Sequence, residues 1–267
     1  MDAVSRRTAN VFQDTVTAMG MPFLIEVHAP ESETAAAAAV RLFHVALRRA
    51  DDVFSLFKDD SELSRLNRGE ITVEECEPEM LEILQSCEWY RAATLGGFDA
   101  RLPDRLDPSG IVKGWAVAKG AAAFDRVGAS AWMVGVSGDI LVSSEGHRWR
   151  VGIADPRSTG DSAGTKVIDV VTLGGQFRAL ATSGSAQHGD HVWDPTTGQG
   201  ARHYLQVSVV ADNLVNADAW ATAIAAGGET VLSAALDAGF EALVITNELC
   251  SGAFRAHASA GWPSVLD

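Results

Sequence analysis

Hydrophobic and polar positions divide the chain into helical, irregular and strand-like stretches. Apolar and β-branched residues dominate 20–28 (GMPFLIEVH), which predicts a first strand. From Glu33 to Phe57 the chain is Ala-rich, with Val40, Phe43, Leu47 and Phe54 near multiples of a helical turn, which predicts a long helix. In the polar segment KDDSELSRLNRGE that follows, Ser61 is placed to open a short helix. A further helix is predicted over about 77–95, stopped by Gly96-Gly97. Periodicity disappears between Gly97 and Gly110 and returns as a helix from about 111 to 126. Residues 131–182 alternate β-branched runs with Gly and Asp-Pro turns, the pattern of a meander of short strands. Beyond a His- and Gly-rich loop the pattern predicts a strand at Tyr204–Ala211. Helices at 216–226 and 229–237 then flank Gly227-Gly228, and a closing strand covers Phe240–Thr246. The order helix-rich, strand-rich, mixed predicts an α+β fold rather than regular βαβ winding.

Composition narrows the possible partners. The 267 residues are 47% hydrophobic with only 8 prolines, enough for one large domain or two closely packed lobes. A formal net charge of -14, with 21 scattered basic residues, argues against nucleic acid, whose phosphates demand clustered Lys and Arg. A phosphate-bearing ligand stays compatible with that charge where a metal ion neutralises it locally. Cys76, Cys87 and Cys250 lack metal-ligand spacing and their odd number gives no complete disulfide framework, so they read as small thiols in a reducing compartment. No apolar run of about 18 residues predicts a membrane span. The N-terminal residues have neither an apolar core nor a lipid-attachment cysteine, so a cytoplasmic location is expected.

Three constellations carry candidate chemistry. Asp218 and Thr222 stand at i and i+4, which on a helix sets a carboxylate beside a hydroxyl. Two hard oxygens so placed suit Mg²⁺, which completes its octahedron with water and substrate phosphates. The plainer alternative is that Asp218 answers the helix dipole while Asn216 caps the helix. In Asp107-Pro-Ser-Gly-Ile-Val-Lys113 a loop of small residues opens into a helix whose first N–H groups favour a phosphate, with Lys113 on the first turn. An ordinary helix start with a solvated Lys explains the same residues. In the third stretch, 182–198, His191 stands just before an Asp-Pro-Thr-Thr-Gly turn, with His188, Asp190 and Asp194 close by. His191 suits a general base for a hydroxyl; H-x-x-H with Asp190 or Asp194 also permits a transition metal, and a solvated loop His is the third choice.

In sequence order these segments resemble the ApbE family, the FAD:protein FMN transferases. The resemblance begins at Met19-Gly20-Met21-Pro22-Phe23 and continues through FSLFKDDSELSRLN, GGFDARL, DPSGIVKGWAVAKGA and VSGDILVSSEGHRWRVGIADPR. It ends with ALATSG, DHVWDPTTG and NADAWATAIAAGG, so it covers nearly the whole chain. The resemblance implies mixed helices and largely antiparallel sheets in one compact T-fold-like unit over 18–267, behind a polar N-terminal segment at 1–17. It implies that Met19, Phe57, Gly97, Phe98 and Asp99 line an FAD site, that Asp107 and Lys113 contact FAD, and that Val192 packs against it. Mg²⁺ would be held by Asp218 and Thr222, with backbone oxygens from Gly110 and Ala221, and His191 would be the base.

The implied reaction is attack of a Thr or Ser hydroxyl of an acceptor flavoprotein on the FMN phosphorus of FAD, releasing AMP. The alternatives are a Mg²⁺-dependent FAD pyrophosphatase giving FMN and AMP, and a non-catalytic FAD-binding protein. Against the family pattern, Phe57 replaces a Tyr, Ala221 replaces a Ser, and Ser137-Gly138-Asp139 stands for Gly-Gly-Asp. The element after Thr182-Ser183-Gly184 lacks its Tyr and Arg, and Asp99 lies close in sequence to Asp107.

Overall fold

The computed structural model describes residues 10–143, 147–158, 166–184, 193–194, 198–247 and 254–266. The chain opens with a hairpin of β1 (Val11–Ala18) and β2 (Met21–His28), in which Ala18 pairs with Met21 across a two-residue turn. Met19 and Gly20 both take positive φ, 51° and 72°, the primed turn whose twist matches that of the strands. Strand β1 falls in the polar segment 1–17 of the sequence reading. Its side chains are mostly exposed and only Ala18 is buried, so it carries no apolar alternation to announce it.

Helix α1 (Glu33–Phe54) is capped by Ser32, whose hydroxyl accepts from the Ala35 amide, and buries Val40, Phe43, Leu47 and Val53 along one stripe. It ends short of the predicted Phe57. Ser55 turns extended, and its carbonyl accepts from the hydroxyls of Ser61 (2.5 Å) and Ser64 (3.1 Å) instead of continuing the helix. Helices α2 (Glu62–Asn67), α3 (Pro78–Ala93) and α4 (Ser109–Ala121) follow. Helix α5 (Leu214–Asp237) joins the two helices predicted around Gly227-Gly228 into one element bent at Gly228, whose φ of 65° and ψ of -145° only glycine adopts cheaply.

An antiparallel sheet of eight strands receives these helices, in the order β1-β2-β3-β4-β7-β10-β11-β12. Its remaining members are β3 (Ala131–Val136), β4 (Asp139–Val142), β7 (Ala179–Ser183), β10 (Gln206–Ala211), β11 (Glu241–Asn247) and β12 (Phe254–Ala258), while β8 (Trp193–Asp194) and β9 (Gln199–Gly200) form a separate short pair. Strand β12 has no counterpart in the sequence reading, because four of its five residues are exposed. Strand β10 is buried on both faces, and its side chains alternate between two cores as the period of two requires. Val207 and Val209 join the large core formed with α1, α4 and α5, whereas Val210 joins a smaller one on the opposite face. That smaller core lies under the hairpin of β5 (Trp149–Ala154) and β6 (Val167–Leu173), closed by Trp262, whose indole N–H donates to Asp169 (2.7 Å). Among the described residues no helix is long and apolar enough to cross a membrane.

Cys76 and Cys87 are both buried and unbridged. Burial pushes the Cys76 thiol up to about 11 and the Cys87 thiol up to about 12, in both cases with acidic neighbours adding to it. Only the thiolate is nucleophilic. In the folded protein at pH 8 both thiols should therefore react with iodoacetamide far more slowly than in urea, as peptide mass mapping would read out.

Candidate active site

A cleft of about 350 Å³ opens where the sheet's hairpin turns meet the N-terminus of α4 and the first half of α5. Each wall is positioned by an identifiable local device. Met19 of the β1–β2 turn and Ser137 of the β3–β4 turn both line the cleft, and both are non-glycine residues held at positive φ (51° and 45°). Strain of this kind persists where surrounding structure fixes it, and here both instances face the same cavity.

The loop after α1 carries Phe57, which lines the cleft and is 97% exposed. The hydroxyls of Ser61 and Ser64 clamp the Ser55 carbonyl, and Lys58 pairs with Asp51 (2.6 Å) and Asp52 (2.7 Å), so the loop is tied down while its aromatic face remains open. Phe57→Ala should leave thermal stability unchanged. It should weaken binding of a flat aromatic ligand by about 1 kcal/mol, or about fivefold in Kd, measurable by fluorescence titration with such a ligand.

The aperiodic segment between α3 and α4 forms the adjoining wall. Phe98 is held through its amide by the Thr94 hydroxyl (2.9 Å), and Asp99 accepts from the Arg101 amide (2.9 Å). A side chain on Gly97 would strike Val231 and the Ala223 carbonyl of α5, at 2.8 and 2.9 Å, so only glycine lets this loop approach that helix. Asn67, at the end of α2, grips the backbone of Leu106 in both directions. Its amide donates to the Leu106 carbonyl (3.0 Å) while its oxygen accepts from the Leu106 amide (2.8 Å). That clamp sets the approach to Asp107, whose carboxylate accepts from the Ser109 amide (3.1 Å) at the start of α4.

Asp218 and Thr222 lie on the face of α5 that lines the cleft, as the i, i+4 spacing requires. The capping alternative fails. Asn213 caps α5 by accepting from the Asn216 amide (2.9 Å), Asn216 accepts from the Tyr90 hydroxyl (2.6 Å), and Asp218 stands beyond the first turn. The Asp218 oxygen Oδ2 is buried and has no hydrogen-bond partner. Thr222 Oγ1 is 3.2 Å from Ser183 Oγ. Gly110 sits so close that an added side-chain carbon would lie 3.4 Å from Thr222 Cγ2 and 3.0 Å from the Phe98 ring. Ala221 is wholly buried in the large core.

Lys113, one turn into α4, points between two carboxylates. Its ammonium is 2.8 Å from Asp139 Oδ2 and 3.7 Å from Asp218 Oδ1. Burial raises the Asp218 carboxyl to about 7, with Asp139 adding to the rise and Lys113 opposing it. Burial likewise raises Asp139. Burial alone would lower the Lys113 ammonium, but the two carboxylates outweigh it and hold it above the ordinary lysine value.

The cleft thus gathers Met19, Phe57, Gly97, Phe98, Asp99, Asp107, Gly110, Lys113, Asp218 and Thr222 from distant parts of the sequence. His188, His191 and Val192 lie outside the described residues, as do Asp190 and the side chain of Asp194. Among the described residues no group of three or more His, Cys, Asp or Glu side chains is arranged to hold a metal ion. Absent from the sequence-level site are Asp139, Ser183 and Gln206. The turn Ser137-Gly138-Asp139 was the available signal for the first of them.

An antiparallel sheet with one helical face and a cleft lined by acidic, hydroxyl and glycine positions defines the class of the fold. A profile of the ApbE family matches residues 19–104 and 100–244, and the chain belongs to that family. A relative from Haemophilus influenzae described as an FAD:protein FMN transferase is 30% identical over 132 residues, covering 46% of this chain and 38% of that protein. Solved structures share the fold. The flavin transferase ApbE from Vibrio cholerae superposes with a TM-score of 0.74 at 22% identity, covering 94% of this chain and 98% of that one. The Pseudomonas stutzeri flavinyl transferase ApbE in its apo form gives 0.78 at 21% identity, covering 97% of each chain. The ApbE protein from Thermotoga maritima gives 0.73 at 22%, covering 92% and 96%.

Proposed function

We propose that this protein transfers the FMN moiety of FAD to a Thr or Ser hydroxyl of an acceptor protein, with AMP as the leaving group and Mg²⁺ as cofactor. The observation that carries the reading is the pairing of a partnerless, buried Asp218 oxygen with the Thr222 hydroxyl, one helical turn apart, directly across from Lys113. A buried carboxylate oxygen without a donor costs free energy in the free protein, and a bound cation removes that cost. The donors are hard oxygens, the set that Mg²⁺ prefers, and Gly110 leaves room beside them. The residues therefore fit the metal: Asp218 and Thr222 would hold it, with a backbone oxygen of Gly110. When bound, it supplies charge neutralisation on the pyrophosphate.

The chain's own groups do the remaining work. Lys113 and the N-terminus of α4 offer positive charge and oriented amides to the pyrophosphate. The exposed Phe57 face and Phe98 form apolar surfaces for the rings of FAD. Asp99 and Asp107 lie on the same wall as hydrogen-bond acceptors. His191 is assigned from the sequence as the base that takes the acceptor hydroxyl's proton. Positioning and electrostatics of this kind supply most of the acceleration in phosphoryl transfer.

Hydrolysis of FAD to FMN and AMP is the second reading, favoured by the absence of the family's Tyr and Arg after Thr182-Ser183-Gly184. The protein is incubated with FAD and Mg²⁺, with and without candidate acceptor proteins. Covalent flavin fluorescence on a denaturing gel together with AMP release supports transfer. AMP and free FMN without acceptor would convert the reading to hydrolysis. Tight FAD binding without AMP under any condition would overturn both.

A further inference from the structure

Two buried carboxylates share one ammonium beside the cleft, and the geometry shows which lies closer to it. Asp139 follows directly on the Ser137-Gly138 turn at the start of β4 and is fully buried. Its Oδ1 accepts from the Thr182 amide at 3.2 Å, which fixes the carboxylate plane, and its Oδ2 contacts Lys113 Nζ at 2.8 Å. Asp218 Oδ1 makes a longer ion pair with the same nitrogen, at 3.7 Å, and neither Asp139 Oδ2 nor Asp218 Oδ2 has an aligned hydrogen-bond donor, so the contrast between the two carboxylates is one of distance. Lys113 thus lies closer to Asp139 than to Asp218.

We propose that Asp139 is a positioning residue that anchors Lys113, keeping the ammonium off Asp218 so that the Asp218 carboxylate stays open to a divalent cation. The inference rests on the reading of Asp218 as a cation-holding group. A lysine and a divalent cation cannot share one buried carboxylate without strong like-charge repulsion at contact distance. Without the charge on Asp139, the flexible four-carbon stem of Lys113 lets the ammonium cross to Asp218 and close the site from inside. The anchor also keeps Lys113 beside the cation position without occupying it, so both charges can face one pyrophosphate.

The test uses Asp139→Asn, which preserves shape and the acceptor for the Thr182 amide while removing the charge. Mn²⁺ binding is followed by the loss of the free-ion EPR signal for the wild type, Asp139→Asn, Lys113→Met, Asp218→Asn and the double variant Asp139→Asn/Lys113→Met. Asp139→Asn is expected to weaken Mn²⁺ binding by about 10–100-fold, the range seen when a group supporting a metal ligand is lost. The double variant should regain the affinity of Lys113→Met, because no ammonium is left to occupy Asp218. A metal-free crystal structure of Asp139→Asn should place Lys113 Nζ within hydrogen-bonding distance of Asp218. Wild-type Mn²⁺ affinity in Asp139→Asn, no recovery in the double variant, or an unmoved Lys113 would each overturn the proposal. Equal Mn²⁺ binding by the wild type and Asp218→Asn would instead overturn the reading of Asp218, and the inference with it.

Discussion

If the proposed function holds, Asp218→Asn should lower Mg²⁺-dependent release of AMP from FAD by at least about 100-fold, because several kcal/mol of charge stabilisation would depend on a cation held there. The same substitution should leave the metal-free protein as stable as the wild type at pH 8, or more so. Burial raises the folded Asp218 carboxyl to about 7, far above the ordinary carboxylate range. An acid whose folded pKa lies above its unfolded value favours the folded state less as it ionises. The cost is absent below the unfolded pKa, grows as pH rises towards 7, and is complete above that. Asparagine keeps the shape and removes the ionisation. Thermal melts of both proteins in EDTA at pH 5 and pH 8 would check this. The expected gain for Asp218→Asn is larger at pH 8, and a variant that loses activity by unfolding would fail the same melt.

The opposite result is expected at Lys113. Lys113→Met should destabilise the metal-free protein at neutral pH by about 3–5 kcal/mol, the usual cost of removing one partner from a buried charge cluster. For a chain of this size that corresponds to a fall in melting temperature of about 6–20 °C. The reason is electrostatic, since Asp139 and Asp218 would face each other in the interior with no cation between them. Both folded pKa values would rise further, so the loss should be greatest at alkaline pH and should shrink as pH falls into the ordinary carboxylate range. Addition of Mn²⁺ should restore part of the lost melting temperature. A pH-independent loss would mean that the lysine stem's packing, rather than its charge, supports the fold.

Legibility in the sequence varied with the kind of signal. Helices α1, α3, α4 and α5 announce themselves through apolar periodicity and glycine stops, and the α+β organisation follows from their order. Asp218 and Thr222 were readable because i, i+4 spacing converts directly into a shared helix face. Strands β1 and β12 were not, because they expose most of their side chains and carry little alternation. Asp139 is a different case: it was marked only by its place in the Ser137-Gly138-Asp139 turn, which does not reveal its role. Its importance comes from a hairpin turn that sets it under Lys113, a contact between segments far apart in the chain. Asn67 is similar, since only the fold reveals that its amide substitutes for a backbone partner of Leu106. The end of α1 turned on the Ser55 carbonyl and two hydroxyls from α2, competition that helix propensity at Phe54–Phe57 does not contain.

In the proposed function one cleft holds FAD by its pyrophosphate between Lys113 and a cation on Asp218 and Thr222. Co-crystals grown with FAD and Mn²⁺, with data collected for the anomalous signal of manganese, test it most directly. The expected result is an anomalous peak in contact with Asp218 Oδ2 and Thr222 Oγ1, with the FAD pyrophosphate between that ion and Lys113. Manganese bound elsewhere, or FAD seated with its pyrophosphate away from Lys113, would contradict it.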